Sequence, residues 1–337
     1  MLNFDEARYH RIQSGAVALA RPIDETIGRL LAAGKENIFF LGTGGAAILM
    51  QPAAQLLQRR STFPVFAELS AELVLSGSRH LGAKSIAIIP SRSGTTKESV
   101  EALRFCKSQG ATVISLTGHA GTPLSEGADH AFVNFAEDDT SSESFYLQSL
   151  LIALSVMKHR GEYGSYDEVV KQLGALPALL IEVKRAFEPQ AAKLAATIKD
   201  SPYHIISGAG STWPEAFYYG MCILEEMQWI RTRPVHASDF FHGTLELVEK
   251  GISVILFKGE DSARPLVERV EAFAPGYTDK LAVLDTQEMK LPGISAPVRA
   301  LLSPVLLACV LERVSAHLEV QRNHPLTTRR YYKKVAY

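Results

Sequence analysis

Between residues 91 and 98 the chain reads Ser-Arg-Ser-Gly-Thr-Thr-Lys-Glu. The hydroxyls of Ser91, Ser93, Thr95 and Thr96 can each donate to an anionic oxygen, and Gly94 lets backbone come close to it. The stretch follows the apolar run Ser85–Pro90 and opens a helical pattern over 97–109, with Thr95 and Glu98 spaced as a capping box. The N–H groups of a first helical turn and the positive end of the helix dipole favour an anion there. Phosphate binding is the chemistry implied; an ordinary serine-rich turn fits the spacing about as well. The equivalent stretch late in the chain, Lys258-Gly259-Glu260-Asp261-Ser262, is acidic and would repel phosphate. That contrast favours an anion loop in one half alone.

A second candidate group is Glu226 with His242. A helix running from Pro214 to Trp229 would place Glu226 on a face with Cys222, Ile223 and Ile230. A carboxylate in such company is partly desolvated, which suits a general base; a solvated helix-end residue, or one paired with Arg231 or Arg233, is the plainer alternative. His242 lies between Phe241 and Gly243 and is either a core histidine or a proton carrier near neutrality. His204, His236 and His242 lack metal-ligand spacing, so no metal is expected. The turn Gly42-x-Gly44-x-x-Ala47, with Glu68 beyond the next apolar run, matches a dinucleotide fingerprint and keeps an NAD(P)-dependent dehydrogenase as an alternative. Its counterpart Gly208-x-Gly210-x-x-Trp213 puts a bulky residue where close packing wants a small one.

These residues need a scaffold, and the apolar pattern supplies one. Short runs at 37–41, 64–67, 85–90, 112–116 and 130–135 alternate with helical stretches, which predicts a parallel sheet with helices on both faces. A long helical pattern over 142–199 follows, and then strand, glycine turn and helix return at 203–229. Gly42 and Gly208 lie almost half a chain apart, and the runs at 85–90 and 252–257 repeat at nearly the same offset. That periodicity predicts an internal duplication of two α/β halves, near 30–160 and 195–320.

Of 337 residues, 35 are Lys or Arg and 36 are Asp or Glu, a net charge of −1. Hydrophobic residues make up 47%, which excludes disorder as the main state. A near-neutral body argues against nucleic acid as partner. No apolar run is expected to reach the roughly 18 residues that span a bilayer. The opening MLNFDEARYHRIQ has no apolar leader, so a cytoplasmic location is expected. Cys106, Cys222 and Cys309 are too far apart for a disulfide framework or zinc site.

The stretches SRSGTT, SGAG, EMQW followed by FFHG, and the ending HPLTTRRYYKKVAY carry a resemblance to the double sugar isomerase (SIS) proteins. The resemblance is nearest to the deglycases of fructosamine 6-phosphates. It implies two tandem flavodoxin-like domains. One spans 1–160 with an N-terminal helix; a helical linker spans 161–194; the second, with a basic tail, spans 195–337. It further implies that Ser91, Ser93 and Thr96, with Arg92 in a variable place, hold a sugar phosphate, that Glu226 is the general base, and that His242 aids ring opening, often from a neighbouring subunit. Gly44, Gly45, Ser142, Glu143 and Arg330 are further substrate-contact candidates. Where the synthase relatives carry a catalytic lysine, this chain has Arg330, which does not form a Schiff base. The expected activity is conversion of a fructosamine 6-phosphate to glucose 6-phosphate and amine, without a cofactor, by a homodimer or larger homo-oligomer. An aldose–ketose isomerase and a non-catalytic sugar-phosphate sensor are the remaining alternatives. Arg231 and Arg233 are candidates for the amine part's carboxylate, and the basic tail with Arg322, Arg329, Arg330, Lys333 and Lys334 is expected to fold over the site or a subunit interface.

Overall fold

The computed structural model describes residues 1–136, 142–332 and 334–336. The chain forms two compact units, one of residues 6–177 and one of residues 178–337 with the first five. The division at 177/178 falls within the stretch 161–194 expected as a helical linker. The helix Tyr166–Leu173 belongs to the first unit and most of Leu176–Ile198 to the second.

In the first unit five strands form one parallel sheet: β1 (Asn37–Gly42), β2 (Val65–Leu69), β3 (Ser85–Ser91), β4 (Thr112–Thr117) and β5 (His130–Val133), in the order β2-β1-β3-β4-β5. This is the flavodoxin-like order, with its crossover between β1 and β3. Every residue of β3 is buried, as expected of a central parallel strand covered on both faces, and this is why its sequence is a continuous apolar run. On one face Phe39, Leu41, Ala87 and Ile89 pack with Leu73, Ala102, Leu103 and Cys106. The helix Ser142–His159 is buried from Ser142 to Met157.

In the second unit four strands, β6 (His204–Gly208), β7 (Thr232–His236), β8 (Ser253–Lys258) and β9 (Lys280–Asp285), are parallel in the order β7-β6-β8-β9. The first four positions of the first sheet recur here. Ile205, Val235, Val254 and Leu256 pack against Phe240, Val267 and Val270. The helix Ala296–Gln321 is long and apolar enough to cross a membrane, contrary to the sequence reading, but 83% of its apolar window is buried inside the protein. Its length serves a core instead. A buried ion network closes this unit: Arg313, fully buried, donates to both carboxylate oxygens of Glu188 at 2.7 and 3.0 Å, and to the Leu2 carbonyl.

Candidate active site

The turn after β1 and the loop after β3 leave the carboxyl ends of adjacent strands, where open α/β sheets bind ligands. Gly44 has φ +55 and precedes a helix of one turn, Gly45–Ile48, before the chain breaks and resumes at Gln51. That interruption removes the long helix on whose dipole the dinucleotide reading depends. The loop after β3 is better built. Ser91 is buried, and its Oγ lies 2.9 Å from Thr96 Oγ1 and accepts the Gly94 N–H at 3.1 Å. Thr95 donates to Ser93 Oγ through its N–H and its hydroxyl. The expected capping box is not formed. Thr96 is the N-cap of the helix Lys97–Ser108, and no side chain caps it, because the loop hydroxyls are engaged with each other. The N-cap of this helix makes no side-chain hydrogen bond to its first-turn N–H groups, and such a helix start suits an anionic ligand. Arg92 is half-buried, and its carbonyl accepts from Gly118 N–H.

Gly94 is irreplaceable on two counts. It has φ +65, and a Cβ there would lie 2.0 Å from Thr122 Oγ1.

After β8 the same place in the second sheet holds its own anion. Asp261 accepts from Ser211 N–H at 2.8 Å, Ser211 Oγ at 2.7 Å and Ala263 N–H at 2.9 Å. Glu260 is paired with Arg299 at 2.8 Å.

Glu226 follows an irregular helix. The expected single helix to Trp229 is instead an α-helix Trp213–Tyr218 and a π-helix Tyr219–Glu225. Glu226 N–H accordingly bonds the carbonyl five residues back, at Met221, which displaces the face predicted with Cys222 and Ile230. Glu226 is half-buried and lines a cleft of ≈ 690 Å³ with Trp229, Arg231, Arg329, Arg330 and tyrosines 203, 331 and 332. Its Oε1 accepts from Arg329 Nε at 2.9 Å, a partner the local sequence did not offer. Trp229 ends the turn at φ +56, a costly conformation for a bulky residue, and is 40% exposed. Arg330 lies over its ring, 4.1 Å from the centroid, and His324 meets it edge-on. The tail thus folds over the Glu226 cleft; Lys333 lies outside the described residues.

His242 is exposed, which excludes the core-histidine alternative. It ends a tight turn anchored by buried Phe240. It lines a different cleft, of ≈ 860 Å³, with Trp213, Arg233, His236, Asp239 and Leu247. Within one chain the structure therefore does not bring Glu226 and His242 into one cleft. It also separates Arg231 from Arg233, one to each cleft.

Ser142 and Glu143 do not sit on a loop. They start the helix Ser142–His159, and Glu143 is fully buried and accepts from the Tyr9 hydroxyl at 2.9 Å. Among the described residues no three His, Cys, Asp or Glu converge as a metal cage, and the three cysteines are buried thiols. The residues that sequence reasoning undervalued are Arg329, placed only in a basic tail, and Trp229. Neither has a periodic signature, since both act across long sequence separations.

A SIS-domain family model matches residues 31–180. The chain is 30% identical over 304 residues to the fructosamine deglycase of Bacillus subtilis, covering 90% of this chain and 93% of that protein. It is 26% identical over 297 residues to the fructoselysine 6-phosphate deglycase of Escherichia coli, covering 88% and 85%. A solved Salmonella typhimurium structure described as a phosphosugar isomerase superposes with a TM-score of 0.87 at 31% identity, covering 96% of this chain and 99% of that one. The chain belongs to the SIS-domain sugar-phosphate family that includes the fructosamine deglycases.

Proposed function

We propose that this protein is a fructosamine 6-phosphate deglycase. The observation that carries the reading is the Glu226 carboxylate, which lines an open cleft in a chain similar to a fructosamine deglycase over most of that relative's length. The loop of Ser91, Ser93 and Thr96, with the first-turn N–H groups behind it, takes the phosphate. Arg92 and the turn at Gly44 and Gly45 flank it.

The substrate is a 1-amino-1-deoxyfructose 6-phosphate whose nitrogen belongs to an amino acid or related amine. His242 assists ring opening. Because it lines a cleft other than that of Glu226, a second copy of the chain supplies it in a homodimer or larger homo-oligomer. Glu226 removes a proton from C1, giving the enaminol, and the proton is returned at C2. The product is an imine of glucose 6-phosphate. Water adds to the imine carbon and the C–N bond breaks, so one substrate and one water yield glucose 6-phosphate and free amine. The sugar's carbonyl and nitrogen hold the electrons throughout, and no cofactor enters. Arg330 on Trp229, and Arg231, offer guanidinium groups to the carboxylate of the amine part. The reaction belongs in the cytoplasm, where the three buried thiols stay reduced.

The test is incubation with several fructosamine 6-phosphates, with glucose 6-phosphate detected by a coupled dehydrogenase. Absence of product from all of them refutes the proposal. Glu226→Gln lowers kcat by about 10²-fold or more while glucose 6-phosphate still binds; full turnover in that variant removes Glu226 as the base.

A further inference from the structure

Resting on the role of Glu226 as base, we infer that Arg329 is a positioning residue that holds this carboxylate ionised and in one orientation. The contact is not a loose surface pair. The Arg329 side chain is 12% exposed, and Nη1 donates to the carbonyls of Leu326 at 2.6 Å and Thr328 at 3.1 Å while Nε reaches Glu226. The guanidinium is thus fixed by its own turn before it meets the carboxylate, and little side-chain entropy is left to lose in pairing.

The turn is itself tied down. Thr328 N–H bonds the Pro325 carbonyl, Leu326 N–H bonds the Glu319 carboxylate at 3.0 Å, and Gln228 Nε2 donates to the His324 carbonyl at 2.8 Å. Arg322 ties the base of the tail to the carbonyls of Gln228 and Lys199. The tail is therefore fastened to the same turn that carries Glu226. The adjacent Arg330 does different work, stacked on Trp229, so the two guanidiniums are not interchangeable.

A base that takes a proton from carbon must be charged and aimed. A cation at hydrogen-bond distance favours the charged carboxylate, and a fixed one also limits its rotation. Among the described residues, the other ionisable groups lining the cleft are Glu225, bonded to Thr232, together with Arg231, Arg330 and tyrosines 203, 331 and 332.

The experiment compares kcat and kcat/KM against pH for the full chain and for Arg329→Met, Arg329→Lys and Arg329→Gln, with folding checked by circular dichroism. In Arg329→Met the acid limb moves up by about one pH unit and kcat falls about tenfold or more, with KM changed less. Arg329→Lys brings the limb back but not the whole of kcat, since an ammonium lacks the planar fork. If Arg329→Met does not fold, Arg329→Gln, which keeps a donor without the charge, shows the same displaced limb. A folded Met or Gln variant with an unmoved acid limb, or one faster than the parent, overturns the inference while leaving the deglycase reading intact. A parent protein silent toward every fructosamine 6-phosphate overturns that reading, and this inference falls with it.

Discussion

Gly94→Ala tests whether the loop after β3 is an anion site or an ordinary turn. The structure sets the cost in three parts. A left-handed conformation costs an alanine about 1–2 kcal/mol relative to glycine, and Gly94 has φ +65. The new methyl would sit 2.0 Å from Thr122 Oγ1, 2.6 Å from its Cβ and 3.0 Å from its Cγ2, so Thr122 must leave its rotamer at about 0.5–1.5 kcal/mol and, since that rotation leaves Cβ in place, the backbone must shift as well. Moving it breaks the capping box in which Thr122 Oγ1 accepts the Ser125 N–H, worth about 1 kcal/mol. Together these reach about 3 kcal/mol, some of which the loop relieves by shifting away from the phosphate position. Calorimetric titration with glucose 6-phosphate should then show affinity down by about tenfold or more. Thr122→Gly removes all three clashing atoms, so Gly94→Ala in that background should cost only the left-handed strain, and the two substitutions should be far from additive. Wild-type affinity in folded Gly94→Ala refutes the assignment of the loop; additive losses refute the clash as cause.

Two further outcomes follow from buried charges and thiols. Burial opposes charge on Glu188, yet Arg313, the Leu2 N–H and His317 hold its carboxyl down to about 2 from 4.5. A depressed carboxyl stabilises the fold above its unfolded value and loses that contribution as pH falls from about 4.5 toward 2, by an amount of about 3 kcal/mol. Glu188→Gln should flatten the acid unfolding profile in that window and be less stable at pH 7 by thermal melting; an unchanged profile contradicts the network. Burial pushes the Cys106 thiol up to about 12, so at pH 8 iodoacetamide should leave it unlabelled in the native protein and label it in urea, as mass spectrometry reads. Prompt native labelling contradicts that burial.

The sequence made the strands legible because a parallel strand buried on both faces must be a continuous apolar run, as Ser85–Ser91 and Ser253–Lys258 are. Glycine turns and a hydroxyl-rich loop were legible for a similar reason: local backbone requirements leave local residue types. Glu226 was found by type but not by setting. Its predicted neighbours assumed a regular turn of 3.6 residues, and the π-helix Tyr219–Glu225 widens that turn. The capping box failed although Thr95 and Glu98 had the right spacing, because the Ser91–Thr96 and Ser93–Thr95 hydroxyl contacts move the helix start to Thr96. Arg329 meeting Glu226 spans 103 positions, and no periodicity encodes a contact of that range. The pairing of Tyr9 with buried Glu143, across 134 positions, was hidden in the same way.

The two sheets share a strand order and differ in what fills the same place. In the first, the loop after β3 ends in hydroxyls that bond each other and a helix start that no side chain caps. In the second, Asp261 already occupies the equivalent position, held by two N–H groups and a hydroxyl. Gly210 is needed to admit it, since a Cβ there would lie 2.6 Å from the carboxylate oxygens. A carboxylate so satisfied is an internal substitute for an external anion, and a phosphate could enter only by displacing a charge of its own sign. The acidic stretch after β8 is thus not merely unsuited to phosphate; its charge is used to complete the fold. Beside β7 in the second unit lie the two clefts lined by Glu226 and by His242. The same strand order thus ends, after its third position, in a loop of mutually bonded hydroxyls in one unit and in a satisfied carboxylate in the other.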